Sequence, residues 1–307
     1  MRAFNYSKIK EQKWDSEILG YIAAIYKEAG KQELYLKQRP EELERLVEIA
    51  KVQSTEASNA IEGIVTTSTR IKQLVEEKTT PRNRDEQEIA GYRDVLNLIH
   101  ENFDVIPITQ NYILQLHKVL YSHMNNPVAG RTKNVQNYIS ATYPDGHSEV
   151  LFTPLAPYET PAALDRICEE YNRVIGNFEV EPLIAIPVFI HDFLCIHPFN
   201  DGNGRMSRLL TTLMLYQNGF YVGKYISLEA KIAKNWTMAV DLAGRVQRSN
   251  RPGFSGDPAD WNNIAQQAMR AHPYVPENYN GLPVSTNTSS ATVSPLASSE
   301  ESGYAKS

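Results

Sequence analysis

The chain must turn sharply between an apolar run that ends near Ile196 and an amphipathic run that begins near Gly204. The residues that make this turn are His197-Pro198-Phe199-Asn200-Asp201-Gly202-Asn203-Gly204-Arg205-Met206-Ser207-Arg208. Two glycines flank Asn203, and glycine lets successive backbone N–H groups converge on a ligand. Those N–H groups fall at a helix N-terminus, where the first donors lack partners and the dipole favours an anion. The side chains suit the same guest. Arg205 and Arg208 are three apart, so both guanidiniums can share one helix face and fork onto phosphoryl oxygens. Asp201 is a hard oxygen ligand suited to Mg²⁺ held jointly with phosphates. His197 is the group here that exchanges a proton near neutral pH. Phe199 is expected to face inward and anchor the loop. Spacing alone defines a phosphate nest with a base beside it and does not identify a reaction.

The rest of the chain reads as helices. Apolar residues recur three and four apart over 13–27 and 40–62, as in Leu43, Leu46, Val47 and Ala50. Gly63 ends the second of these. Ser68 is placed to cap a helix to about Glu77, and Thr109 to cap one to about Met124. Another helix runs from about Arg84 to His100. After Pro127 and Gly130 the pattern changes to extended segments, Val135 to Ser140 and Glu149 to Phe152, around Asp145-Gly146, which predicts a β-hairpin. Helices resume at about 161–176, 181–195, 204–217, 227–245 and 259–270. From Glu277 the composition turns to Ser, Thr, Asn, Pro and Ala, and 277–307 reads as a disordered tail.

Of the 307 residues 42% are hydrophobic and 22% charged, the balance of an ordinary globular chain. The net charge is -5, from 31 basic and 36 acidic residues, which gives no general attraction to nucleic acid or an anionic membrane. Cys168 and Cys195 lie inside helical patterns and read as core thiols of a reducing compartment. The longest apolar stretch, 182–190, is too short to span a bilayer, and no signal peptide opens the chain. A cytoplasmic protein with neither nucleic-acid nor membrane partner is the expectation. The histidines His100, His117, His123, His147 and His272 show no zinc-ligand spacing. His191, inside the apolar helix, reads as a core histidine.

The run from His197 to Arg208 resembles the motif of the Fic family, histidine-proline-phenylalanine-x-aspartate-glycine-asparagine-glycine-arginine-x-x-arginine, at every fixed position. The resemblance implies a mainly α, Fic-type helical bundle with a small β-hairpin flap. It implies protein adenylyltransferase activity, in which AMP passes from ATP to a Ser, Thr or Tyr hydroxyl of a target protein and pyrophosphate is released. By position, His197 would be the general base and Asp201 would hold Mg²⁺. Asn203 with Gly202 and Gly204 would cradle the phosphates, Arg205 would contact the phosphate chain and Arg208 would grip its γ end. The relative that transfers phosphate instead carries lysine where Gly204 stands.

Ser58-Asn59-Ala60-Ile61-Glu62-Gly63 resembles the family's inhibitory motif, Ser/Thr-x-x-x-Glu-Gly/Asn. This implies that Glu62 pairs with Arg208 and takes the room of the γ-phosphate. The hairpin at about 131–154 resembles the flap that clamps an extended target segment. The implied organisation is a helical extension over 1–39, a Fic region over 40–245 and a helical completion over 246–276. The inhibitory helix would span about 54–63 and the active-site loop 197–208. Homodimerisation is common among similar proteins. Two rival functions remain open: a hydrolase that uses Glu62 to remove AMP, and a non-catalytic peptide-binding module.

Overall fold

The computed structural model describes residues 4–38, 40–142, 148–234 and 284–286. A 3-10 turn, Tyr6–Glu11, precedes α1 (Ser16–Gln38), α2 (Pro40–Ile61), α3 (Ser68–Val75), α4 (Arg84–Asn102) and α5 (Gln110–Leu120). Strands β1 (Ile139–Thr142) and β2 (Ser148–Phe152) follow, then α6 (Thr160–Gly176), α7 (Pro182–Ile196), α8 (Asn203–Gln217), α9 (Val222–Tyr225), α10 (Leu228–Lys234) and β3 (Val284–Thr286). The long segments expected as helices are helices. Helix α10 is described only to Lys234, and the helix expected over 259–270 lies outside the described residues.

Local chemistry sets the ends. Thr109 caps α5 by accepting from the Tyr112 N–H, and Asn83 caps α4 by accepting from Glu86. The cap of α3 is Thr67, not Ser68, because the Thr67 hydroxyl reaches the Arg70 N–H while Ser68 is already helical and bonds Glu56. Helix α2 ends in a Schellman motif: Ile64 N–H bonds the Asn59 carbonyl, Gly63 N–H bonds that of Ala60, and Gly63 takes φ +77°.

The core forms around α7, which buries residues on every side, among them Ile184, Phe189, Phe193 and Ile196. Helix α8 lays Met206, Leu209, Leu210, Leu213 and Met214 against it. Phe4, Tyr6 and Ile9 join the same cluster, and the Tyr6 hydroxyl donates to Asp192 at 3.0 Å. His191 is buried against Cys195, 3.5 Å away, and stands 3.6 Å from Asp192, as a core histidine.

The two-stranded hairpin flap is corrected. Of the segment from 131 onward, only Ile139–Thr142 and Ser148–Phe152 are strands, and β1 pairs on both sides in a sheet of order β2-β1-β3. Val284–Thr286, inside the tail read as disordered, runs antiparallel to β1 with Ile139 opposite Thr286. The physical reason lies in the polar groups ahead of β1. Lys133, Asn134 and Asn137 bond the active-site loop instead of a strand partner, and an unpaired edge is a template for any extended segment. The expected partner, a target segment laid along an open flap, therefore falls too, since β1 has no open edge. The Asp145-Gly146 turn lies outside the described residues.

Candidate active site

The site is built where α7 ends, α8 begins and α2 closes over both. His197 is the C-cap of α7 in the left-handed region, φ +51° and ψ 63°, with its N–H on the Phe193 carbonyl at 2.8 Å. A side chain there costs about 1 kcal/mol of backbone strain, which the surroundings must hold. They do so with Phe199, fully buried and stacked on His117 at a centroid distance of 3.7 Å. His117 Nδ1 accepts from the Gly130 N–H at 2.9 Å, so its Nε2 carries the proton and donates to the Asp201 carbonyl at 3.1 Å. Burial pushes His197 down to about 4, the Lys133 ammonium adds to this, and a backbone hydrogen bond at Leu194, then Glu62 and Asp201, oppose it. The imidazole is thus neutral and able to accept a proton at pH 7.

The nest is present. Gly202 (φ +82°) is the N-cap of α8 with no side-chain cap, leaving the N–H groups of Asn203, Gly204 and Arg205 without carbonyl partners inside the helix. Asn203 does different work from that expected of it. Its amide oxygen accepts from Phe199 N–H at 2.9 Å and its NH₂ donates to the Phe199 carbonyl at 2.8 Å, stapling the loop. One Asp201 oxygen takes the Gly202 N–H at 2.7 Å, while the side chain stays 41% exposed with Oδ2 3.9 Å from Arg205. That leaves one carboxylate oxygen for a cation shared with phosphate, which fits Mg²⁺ bound through one carboxylate. Among the described residues no cluster of His, Cys, Asp and Glu could cage a metal alone.

The two arginines diverge. Arg205 is 1% exposed and pairs with Glu88 at 2.8 Å and the Tyr121 hydroxyl at 2.9 Å, beneath the nest. Among the described residues its Nε and Nη1 have no partner. Arg208 turns toward α2. Its Nη2 donates to Glu62 Oε1 at 2.7 Å and to the Ser58 carbonyl at 2.9 Å, and its Nε donates to the Ser58 hydroxyl at 2.8 Å. A Cβ on Gly204 would overlap Glu62 Oε1, so the carboxylate lies over the first turn of α8. An anion is already at the helix N-terminus, and it is Glu62.

Sequence reading missed the support of this clamp. Tyr92 on α4 lies beside Ser58, and its hydroxyl donates to Glu229 of α10 at 3.0 Å. Glu229 is buried and takes a second bond from Ser227 at 3.2 Å. No local pattern announces such a chain, because its members are far apart in sequence. Lys133 was missed likewise; its only cue was a charged residue just before the extended segments.

Fold and site together define a helical protein with an anion nest covered by its own carboxylate. Residues 107–215 match the model of the Fic/DOC family. A "Protein adenylyltransferase fic-1" of Caenorhabditis elegans is 27% identical over 142 residues, 45% of this chain and 25% of that protein. A "Protein adenylyltransferase Fic" of Nematostella vectensis is 25% identical over 186 residues, 58% of this chain and 40% of that one. The chain thus spans well under half the length of these curated relatives. A Fic domain-containing signaling protein of Bacteroides thetaiotaomicron shares the fold at a TM-score of 0.63 and 22% identity, covering 80% of this chain and 94% of the other. A Fic family protein of Desulfovibrio desulfuricans does so at 0.61 and 20%, covering 86% and 78%. The protein carries a Fic/DOC domain and is related to known Fic adenylyltransferases. Among the described residues no helix is long and apolar enough to cross a membrane.

Proposed function

We propose that this chain is a protein adenylyltransferase that holds itself off. The observation that carries the reading is the Glu62–Arg208 pair at 2.7 Å, set over the N-terminus of α8. A carboxylate in that position competes with a phosphate for the same guanidinium and the same backbone donors.

Once Glu62 leaves, the triphosphate chain enters the nest, with Arg208 on its γ end and Arg205 below. Asp201 would hold Mg²⁺, which would supply neutralisation of phosphate charge. His197 takes the proton of a target Ser, Thr or Tyr hydroxyl as its oxygen bonds the α-phosphorus. The bond to the bridging oxygen breaks, and pyrophosphate leaves with the electron pair. The protein contributes positioning and charge neutralisation, the main components of phosphoryl-group catalysis.

Glu62→Gly is expected to raise AMP transfer at least about tenfold, the equivalent of ~1.4 kcal/mol of lost competition. His197→Ala in that background should abolish it. Incubation with each Mg²⁺–nucleoside triphosphate and mass measurement of the protein reads both reaction and nucleotide. No added mass with any of them counts against the reading.

A further inference from the structure

Lys133 lies 64 residues before the histidine it brackets. Its Nζ donates to the Ile196 carbonyl at 2.9 Å, and its own N–H donates to the Pro198 carbonyl at 2.7 Å. One residue therefore bonds the peptide on each side of His197. The bond to Ile196 satisfies a carbonyl left open at the end of α7, and a cation there also suits the helix dipole. The bond to Pro198 fixes the direction in which the chain leaves. Between them His197 keeps a left-handed backbone that an L-residue otherwise avoids. Lys133 is 3% exposed, and among the described residues no carboxylate pairs with it. Burying an unpaired ammonium is costly, and a chain that needed only a hydrogen bond there could use a neutral donor.

We propose that Lys133 is a positioning residue for His197, holding the imidazole in place through the carbonyls on either side of it. The charge has a second consequence. The groups that face His197 are Lys133 from the segment before β1, Glu62 from the end of α2 and Asp201 from the loop. Lys133 is the cation among them, and its charge adds to the effect of burial, which is what chiefly keeps the imidazole unprotonated. Burial lowers the ammonium itself to about 8, which leaves it charged in most molecules at pH 7.

The catalytic part of this inference rests on the proposed AMP transfer, and the titration part does not. The test uses Lys133→Met and Lys133→Arg in the full chain, each with and without Glu62→Gly. NMR titration of the His197 ring is expected to move upward by about one pH unit in Lys133→Met and to stay near the wild type in Lys133→Arg. In the Glu62→Gly background, Lys133→Met should lower kcat for AMP transfer at least about tenfold with KM for ATP changed less than about threefold. Lys133→Arg should restore most of kcat. A His197 titration that is the same in Lys133→Met and wild type overturns the charge role. An unchanged kcat, or equal loss in Met and Arg variants, overturns the positioning role. If Glu62→Gly alone transfers no AMP, the proposed function fails while the ring titration still judges Lys133.

Discussion

Gly63 takes φ +77° with open space where a Cβ would stand, so its substitution tests backbone conformation without steric overlap. An alanine there costs about 1 kcal/mol in the left-handed region, and the strain is relieved by unwinding the Schellman turn that orients Glu62. Gly63→Ala is expected to lower the urea-unfolding free energy by about 1 kcal/mol and to raise basal AMP transfer by about fivefold. A loss of stability with unchanged basal transfer would separate the turn from the clamp. This residue was legible in sequence, since a glycine after a helix and a glutamate before it announce both the stop and the charge. Asn203 was not. In a glycine nest it reads as a phosphate ligand, yet both ends of its amide are spent on Phe199, and only the fold shows that pairing. The divergence of Arg205 and Arg208 was hidden too, because Glu88 and Glu62 lie on α4 and at the end of α2, far from both in sequence.

Helix α2 seats itself on a stripe of Ala50, Ser54, Thr55, Ser58 and Asn59, all buried and nearly all polar. Helix α8, by contrast, packs on leucine and methionine. The buried positions of this stripe carry little apolar area, and among the described residues Thr55 Oγ1 and Asn59 Oδ1 have no partner. Such a helix detaches at lower cost than the core helices, as a regulatory element must. Thr55→Val removes the unpaired hydroxyl at nearly constant shape, so it should stabilise the seat by about 1 kcal/mol. The expected readouts are a higher Tm and basal AMP transfer lower by about fivefold, and a lower Tm would show that the hydroxyl matters to the seat. Periodicity located α2 because its outward face is plainly charged. It could not show that the inward face is polar by design, for serine and threonine at core spacing look like surface residues. The extent of the two-stranded flap was misread for a related reason. Alternation over 135–140 predicted a strand, but Lys133 and Asn137 spend polar groups on the loop at Ile196–Phe199, and β1 begins only at Ile139.

Across the whole molecule, three histidines on different elements are buried as neutral groups, and they share one consequence. Burial lowers His100 on α4, His117 on α5 and His197 after α7 to about 4 each. In the unfolded chain each returns to about 6.5, so between pH 6.5 and 4 the unfolded state binds protons that the native state refuses. Stability from these groups is complete above about pH 6.5, falls as pH drops through this window, and levels off below about 4, where both states are protonated. Each accounts for on the order of 3 kcal/mol. His191 acts in the opposite sense. Despite its burial, Cys195 and Asp192 raise it to about 9, so its contribution is present below about 6.5 and lost as pH rises through 9. The two sets place the stability maximum near neutrality. His100 stands apart from the active site, against Tyr216 at 3.3 Å, and is the member to remove. His100→Gln should lower Tm at pH 7, through lost packing, yet flatten the fall in Tm between pH 6.5 and 4 by about a third, one titrating group of three. Thermal melts across that range measure it, and a slope equal to wild type would mean that His100 titrates alike folded and unfolded.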